Sequence, residues 1–242
     1  MPDLQKTLGY RYLHDTKFTR KNIREKERPS IAQAPAFKDY PAAEKIDLPA
    51  DPEKPPADLW QLLQHRRSQR KFPGSPLSLD DLALLLWAAQ GITAKAGAYL
   101  LRTAPSAGAL YPIETYLAAD HIDGLPPGLF HFNVRTFQLE RLTDNAAGPL
   151  VAQAALDQSF IGQAAAVFIW SAVLRRNMAK YGQRGMRYIC LDAGHICQNL
   201  QLAAVALGRR SCPVGAMYDD ELNDLLGLDG VEESVIYLAP VG

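Results

Sequence analysis

The sequence lacks the features that would place the protein in a membrane, in an oxidising compartment or on nucleic acid. Its longest apolar run, LALLLWAAQGI, is too short to cross a bilayer, and the N-terminus has no basic-then-apolar leader. Lys plus Arg and Asp plus Glu each number 26, so no net charge attracts the molecule to polyanions. The three cysteines are an odd number without metal-ligand spacing. These absences predict a soluble, cytoplasmic protein without a metal site and without nucleic-acid or membrane partners.

The chain of 242 residues divides at about residue 57. Residues 1–56 are charge-dense and then proline-rich, without a sustained apolar period, which predicts an arm wrapping the core or a partner. The basic stretch 19–28 could be a nucleic-acid tail, but acidic residues interrupt it and no aromatic residues are interleaved. A solvated arm is therefore favoured. Residues 57–242 are long enough for one compact domain.

Helical and strand patterns alternate irregularly in this domain, which predicts an α+β fold with a sheet packed against helices. Residues 92–112 are rich in small residues and prolines and are expected to form a long, functional loop. Helices are expected around residues 56–68, 79–91, 149–156, 184–208 and 219–228, and strands around 113–119, 128–132, 136–142, 166–173 and 234–241.

The longest helix carries a polar seam beside its apolar stripe. Tyr188, Asp192, His195 and Asn199 follow each other at steps of four, three and four residues and share one side. These polar side chains are shorter than the Lys, Glu and Gln side chains usual on a solvated helix face, so the seam suits a partly buried contact better. Asp192 and His195 could hold a metal ion, but no further ligand completes a set. A structural, hydrogen-bonded His195 is favoured, and an active-site role remains the alternative.

Three further segments have the residue types of a binding site. HRRSQRKF, residues 65–72, places Arg66 and Arg70 one helical turn apart with Ser68 between them, and guanidinium groups suit phosphate. A helix end whose cations complement the helix dipole explains the same spacing equally well. In RTAPSAGALYP, residues 102–112, and CPVGA, residues 212–216, small residues let the main chain approach a flat ligand.

Together these segments resemble one family. HRRSQRKF, APSAGALYPIE, RYICLDAGHICQNLQLAAVALG, CPVGA and IYLAPVG, in this order, resemble the FMN-dependent nitroreductase superfamily, specifically its SagB-type dehydrogenase branch, as does YLHDTK in the arm. The resemblance implies helices around a central, mainly antiparallel sheet, and a homodimer with two FMN sites at the subunit interface. It also implies that the polar seam packs at that interface.

The resemblance assigns cofactor-binding roles to individual residues. Arg66 and Ser68 would hold the FMN phosphate and Arg70 the pyrimidine side of the flavin. Arg67 belongs to the same cofactor-binding segment, but its side chain is expected to face away. The FMN loops would be Pro105, Ser106, Ala107 and Gly108 from the other subunit, and Pro213, Val214, Gly215 and Ala216, whose last two N–H groups approach flavin N5. Many relatives carry a basic residue beyond the terminal PVG, where this sequence ends. Arg102, Arg209 and Arg210, in that order, are the expected substitutes.

The resemblance implies an oxidoreductase that transfers hydride through flavin N5 to a small flat organic molecule. The donor is expected to be NAD(P)H, which would bind transiently because the sequence lacks a GxGxxG motif. In cyclodehydratase-associated relatives a Lys-Tyr pair helps to remove a substrate proton. The corresponding dipeptide is expected at Arg187-Tyr188, where arginine cannot act as a base, so Tyr188 is the catalytic candidate. The substrate pocket would draw on residues 91–101, the arm and Tyr188.

Two alternatives to this function remain open. The first is an oxidase that dehydrogenates a heterocycle in a modified peptide and passes the electrons to dioxygen. The second is a scaffold that has kept the fold without turnover, against which the retained basic residues count.

Overall fold

The computed structural model of the chain describes residues 3–25 and 29–242, and only the backbone of residues 24 and 25. Part of the basic stretch 19–28 therefore lies outside the described residues. The strands are Lys45–Asp47 (β1), Ile92–Ala96 (β2), Tyr99–Arg102 (β3), Ile113–Ala119 (β4), Gly128–Asn133 (β5), Gln138–Thr143 (β6), Ala166–Val173 (β7) and Glu233–Val241 (β8). The α-helices are Leu8–Asp15 (α1), Asn22–Glu25 (α2), Leu59–His65 (α3), Leu79–Gln90 (α4), Gly148–Ala154 (α5), Leu174–Tyr181 (α6), Gly185–Ala206 (α7) and Asp219–Leu226 (α8).

The main sheet has six strands in the order β1-β6-β5-β4-β7-β8, and every neighbouring pair is antiparallel. Strands β4 and β5 are buried along their whole length. The α+β fold with a mainly antiparallel central sheet is therefore confirmed.

Helices cover both faces of this sheet because side chains alternate between the faces along each strand. In β4, Ile113 and Leu117 face a core cluster that includes the apolar residues of α4 and α7. Tyr116 and Ala118 face a second cluster that includes α5 and α8. Helix α7, of 22 residues, is the long helix that the apolar stripe predicted.

Two parts of the domain formed by residues 57–242 differ from the expectation. Residues 92–112 do not form one long loop, because β2 and β3 pair as a hairpin. Its two-residue turn begins at Gly97, whose φ of +60° has the sign that a type II′ turn requires. The hairpin is largely exposed, so its sequence lacks the alternation of apolar and polar residues that would predict two strands. Helix α6 was also missed, because it follows β7 directly and no side chain caps its first turn.

The end of the expected arm contributes to the sheet. Strand β1 lies within residues 1–56 and pairs with the edge strand β6. Upstream, the amide N–H of Tyr40 donates to a carboxylate oxygen of Glu140 at 3.1 Å, and Lys38 donates to the Tyr116 hydroxyl at 2.7 Å. The division at residue 57 remains a prediction.

A network of buried charges lies on the α5 and α8 side of the sheet, beneath this part of the arm. Arg176 pairs with Glu114 at 2.5 Å. The His131 ring joins Glu114 at 3.0 Å and Glu140 at 2.8 Å, and Lys45 also pairs with Glu140. All of these side chains except Lys45 are almost completely buried. Removing any one of these side chains would therefore leave a buried charge without its partner and lower the stability of the fold.

This network predicts a loss of stability in acid. Burial opposes the ionisation of Glu114, but the charges of Arg176 and His131 outweigh it and hold the pKa at about 2. Burial likewise opposes ionisation of Glu140, whose pKa is held at about 2 mainly by hydrogen bonds from His131 and Lys45. A carboxylate with a lowered pKa contributes stability above its unfolded pKa, near 4.5, and loses it as the pH falls through the folded pKa. The free energy of unfolding should therefore fall between about pH 4.5 and about pH 2.

Urea unfolding followed by circular dichroism over this pH range measures the effect. Glu114→Gln removes one of the two carboxylates, so its stability should decline less steeply with acid than that of the wild type. Glu44→Gln is the matched control, because Glu44 is mostly exposed and its profile should follow the wild type. Equal slopes for Glu114→Gln and the wild type would contradict the prediction.

Candidate functional site

The basic segment, residues 65–72, leaves the end of α3 and runs beside residues 210–214. Ser68 forms a parallel bridge with Ser211, and the N–H of Gln69 donates to the Ser211 carbonyl at 2.9 Å. Residues 210–214 pair on their other side with the end of β8. The sheet thereby brings two of the three sequence-predicted segments, HRRSQRKF and CPVGA, together.

The path of the basic segment differs from the expected helix. Helix α3 ends at His65, so Arg66 and Arg70 are not related by a helical turn. The backbone at Arg66 is extended instead, with φ −56° and ψ 121°. Because alternate side chains of an extended segment point the same way, Arg66, Ser68 and Arg70 are still expected to share one side.

Arg67 has partners within its own chain. Its Nη1 donates to the carbonyls of Gln64 at 2.9 Å and Arg66 at 2.6 Å. These bonds satisfy carbonyl groups at the C-terminal end of α3, where cations are favoured. The structure thus gives Arg67 a helix-capping position, and its place among the cofactor-binding residues stays a prediction.

Arg66 and Arg70 are close enough to two buried cysteines to influence their pKa values. Burial raises the pKa of the Cys197 thiol, on α7, to about 12 against the opposing charge of Arg66. Burial also raises the pKa of Cys212, which the charge of Arg70 opposes. Among the described residues, no carboxylate forms an ion pair with either arginine. Their charges are therefore available to an external anion.

Gly215 and Ala216 follow this positive surface. Both residues are exposed, and neither backbone N–H has a hydrogen-bond partner among the described residues. A β-carbon added at Gly215 would lie 4.0 Å from the Tyr237 ring, which is ordinary contact. Two main-chain donors without a partner among the described residues thus follow two arginines that have no carboxylate partner. Pro213 is partly buried and Val214 is buried, paired with Leu238 of β8.

The third segment is fixed to α7 by a buried carboxylate. The Ser106 hydroxyl donates to Asp192 Oδ2 at 2.5 Å and accepts from the Tyr111 N–H at 2.9 Å. Burial raises the pKa of Asp192, against the bond from Ser106. Gly108, Ala109 and Tyr111 have φ values of +66°, +52° and +45°. Glycine adopts such values freely, but at Ala109 and Tyr111 they mean strained backbone, which persists where surrounding contacts hold it and is common at functional sites. Pro105 and Ala107 belong to the same loop and are at least partly accessible.

The loop and the basic segment approach α7 at different positions along the helix. The loop contacts Asp192, whereas Arg66 acts on Cys197, five residues further along the helix. At about 100° per residue these positions are roughly 140° apart around the helix. The loop is therefore anchored near Asp192, and the charge of Arg66 is felt further along the same helix.

Lys180 and Tyr181 were missed by the sequence interpretation. A β-carbon added at Gly108 would lie 2.7 Å from Lys180 Nζ and 2.6 Å from the Tyr181 hydroxyl, so both side chains contact the loop. The Tyr181 ring also packs on that of Tyr188 at 4.8 Å. The sequence signal that could have identified them is the Lys-Tyr dipeptide itself. It lies seven residues before Arg187-Tyr188, the dipeptide to which the sequence interpretation gave this role. Arg187, placed there instead, donates to Thr16 and Leu13 of the arm.

The structure places the three candidate substitute phosphate ligands in different surroundings, and their order stays a prediction. Arg102 is buried, donates to Gln90 at 2.5 Å and lies apart from the basic segment, and burial lowers its pKa to about 10. Arg209 pairs with Asp81 at 2.7 Å. Arg210 alone of the three contacts the basic segment, by donating to the Lys71 carbonyl at 2.8 Å, and it is exposed.

The polar seam divides in the structure. Asp192 is buried, Tyr188 and Asn199 are partly buried, and His195 is exposed. In the part of the chain that the structure describes, no three His, Cys, Asp or Glu side chains are grouped so that they could hold a metal ion.

Comparison with known families matches residues 63–242 to the model of the nitroreductase family. The chain belongs to the nitroreductase family. The matched region contains the basic segment, the loop on α7 and the Gly215 segment, and the family consists of oxidoreductases, so the expectation of an enzyme is confirmed. The match covers more than half of the chain.

Two relatives support this assignment. MJ1384 of Methanocaldococcus jannaschii, assigned as a nitroreductase, is 38% identical over 184 residues, which are 76% of this chain and 90% of the relative. The trifolitoxin-processing protein TfxB of Rhizobium leguminosarum bv. trifolii is 32% identical over 170 residues, which are 66% of this chain. This chain spans only 46% of TfxB.

Solved structures share the fold. A crystal structure from Anabaena variabilis, assigned as a nitroreductase, has a TM-score of 0.77 and 29% identity, covering 95% of this chain and 45% of its own. The NADPH:FMN oxidoreductase of Vibrio harveyi in complex with NAD+ has a TM-score of 0.54 and 18% identity, covering 76% of this chain and 67% of its own. None of the described helices combines the length and apolar character that crossing a bilayer requires.

Proposed function

We propose that this nitroreductase-family protein is an FMN-dependent oxidoreductase that uses NAD(P)H to reduce a small, flat organic substrate. The proposal depends on one observation: arginine side chains without a carboxylate partner and backbone N–H groups without an acceptor lie on the same surface. Arg66 and Arg70 have no carboxylate partner among the described residues, and the unpaired N–H groups of Gly215 and Ala216 follow on the same surface. An anionic, planar ligand satisfies both.

The residues fit FMN in three ways. Arg66 and Ser68 can donate charge-assisted and hydroxyl hydrogen bonds to the phosphate, and Arg210 is the cation best placed to add a further one. Arg70 can stabilise the negative charge that two-electron reduction places near flavin N1 and O2. The N–H groups of Gly215 and Ala216 can donate to flavin N5 without covering the ring face. When bound, FMN supplies two-electron transfer through N5.

A homodimer would complete the site. The loop of Pro105, Ser106, Ala107 and Gly108 is anchored on α7 at Asp192, whereas Arg66 influences Cys197 further along the helix, so a second copy would bring that loop to the ring held at Arg66. Asp192 would hold the loop in its strained form by accepting from Ser106. Tyr188, with Tyr181 against it, would then line the substrate side.

The purified protein tests this proposal. We expect a yellow protein with flavin absorbance, or one that becomes yellow with added FMN, and rapid loss of that absorbance when NADPH is added without oxygen. Steady-state rates with a nitroaromatic acceptor should show ping-pong kinetics, because donor and acceptor would share one ring face. A colourless protein that takes up no FMN would favour the scaffold alternative.

A peptide-modifying oxidase is the second candidate function. Its support is the 32% identity to the trifolitoxin-processing protein and the Lys180-Tyr181 pair beside the loop at Gly108. In that role Lys180 and Tyr181, instead of Arg187 and Tyr188, would help to remove a substrate proton. A flavin that no nicotinamide nucleotide reduces, but that a thiazoline-containing peptide reduces, would establish this candidate and with it the SagB-type branch.

A further inference from the structure

A groove of about 450 Å³ lies between the arm and the residues that precede α7. Residues 15–18 and Asn22 line one wall, and Gln183 and Arg184 line the other. Its volume is within the range of small-molecule sites. The groove belongs to neither the positive surface at Arg66 nor the loop at Ser106.

The arm wall of this groove is tied to the core. Arg184 Nη1 donates to the Thr16 carbonyl at 2.8 Å, and Arg187 Nη2 donates to the Thr16 hydroxyl at 2.7 Å. The Tyr12 hydroxyl donates to the Gln183 carbonyl at 3.2 Å. Thr16 is buried, unlike the residues around it in the arm. These bonds give the groove a defined shape.

A chain of contacts connects the groove to the proposed substrate side of the flavin. Arg184 Nε donates to the Tyr188 hydroxyl at 2.9 Å. The Tyr188 ring packs edge-on against Tyr181, whose hydroxyl stands against the backbone of Gly108. A molecule that reaches from the loop at Gly108 towards Arg184 would therefore pass along two tyrosine side chains.

The groove combines aromatic surface with positive charge. The Arg184 guanidinium lies 4.3 Å from the Phe18 ring centroid and 5.7 Å from that of Tyr188. Lys17 adds a second cation, and the one carboxylate among the described lining residues, Asp15, contacts His14 at 3.1 Å. Among the described residues, Arg184 has no carboxylate partner. An aromatic ring with an anionic substituent satisfies both properties.

We propose that this groove binds the oxidising substrate and selects aromatic molecules that carry a carboxylate, with Arg184 as the specificity-determining residue. The inference rests on the proposed flavin-dependent function. NADPH also combines flat rings with anionic groups, so the test must separate acceptor from donor.

The test compares 4-nitrobenzoate with nitrobenzene as acceptors of the FMN-loaded protein. In the first reduction NADPH gives a hydride through the flavin, and the nitro group takes these two electrons and two protons to become a nitroso group and water. We expect the wild type to prefer 4-nitrobenzoate in kcat/KM. Arg184→Gln should lower kcat/KM for 4-nitrobenzoate about tenfold, the loss of one charge-assisted bond, and leave nitrobenzene within about twofold. Arg184→Lys should restore part of the loss.

Two further measurements keep the result decisive. The dissociation constant of benzoate, read from the flavin spectrum, should rise about tenfold in Arg184→Gln even if turnover is slow. Lys17→Gln should show a smaller loss with the same selectivity, and Arg135→Gln, an exposed arginine outside the groove, should change neither acceptor. No preference in the wild type, or equal losses with both acceptors, overturns the proposal.

The reduction of the flavin by NADPH, measured alone, shows whether the groove binds the nucleotide instead of the acceptor. Stopped-flow reduction of the flavin by NADPH should be unchanged in Arg184→Gln. A loss confined to this step would show that the groove holds the nucleotide instead, and would overturn acceptor selection. If the wild type did not bind FMN, or if NADPH did not reduce the bound flavin, the proposed function would be refuted. The flavin spectrum measures both steps without any acceptor, so this failure can be distinguished from a failure of acceptor selection.

Discussion

Arg66→Ala is expected to raise the dissociation constant of FMN about a hundredfold. Arg66 is partly buried and has no carboxylate partner among the described residues, so the phosphate would be its counter-ion. Removing the guanidinium takes away up to two charge-assisted hydrogen bonds, which are worth about 1.5–3 kcal/mol each. A loss of about 2.7 kcal/mol corresponds to the hundredfold change.

Quenching of FMN fluorescence on titration into the apoprotein measures this effect. Arg67→Ala is the matched control, because it removes the neighbouring arginine, whose Nη1 bonds the Gln64 and Arg66 carbonyls. We expect its FMN affinity to stay within about twofold of the wild type, apart from a small loss of stability at the end of α3. Equal losses in both variants would mean that general positive charge, not a phosphate contact at Arg66, holds the cofactor.

Arg176→Met is expected to lower the free energy of unfolding by about 3–5 kcal/mol, because it leaves the charge of Glu114 buried without its main partner. Arg176 is 2% exposed, pairs with Glu114 at 2.5 Å and donates from Nε to the Pro35 carbonyl at 2.6 Å. The methionine replaces the volume of the side chain but none of these bonds.

The neighbouring arginine provides the control. Arg175 is about half exposed and pairs with the similarly exposed Glu232, so Arg175→Met should cost less than about 1 kcal/mol. Urea unfolding followed by circular dichroism gives both values. The double variant Arg176→Met with Glu114→Gln should recover part of the loss, since it removes the unpaired charge. A double variant that is no more stable than Arg176→Met would show that packing, not charge, explains the cost.

Local sequence patterns predicted most of the regular elements correctly. The apolar stripe of α7 and the apolar strands β4 and β7 have periods that depend only on neighbouring residues. Elements whose formation depends on tertiary contacts were missed. The exposed hairpin β2-β3 and the uncapped α6 have neither a clear apolar period nor a start signal, so sequence patterning could not reveal them.

The candidate site shows the same division. The contiguous motifs identified the basic segment and the Gly215 segment, and the structure brings them side by side. The position of Arg102 just before the flavin loop predicts a phosphate ligand, but its side chain points into the core against Gln90 and Tyr111. Adjacency along the chain says nothing about the direction of a side chain, which the pairing of β3 decides.

The sequence alone determined the α+β class, the nitroreductase family and the residue types that suit an anionic, flat cofactor. Periodicity and contiguous motifs are local properties, so they can be read without the fold. Only the tertiary structure decided that Arg66 lies on extended backbone, that Lys180 and Tyr181 meet Gly108, and that the arm forms a groove with Arg184. The physical reason is that these contacts join residues far apart in the chain, and no local period encodes them.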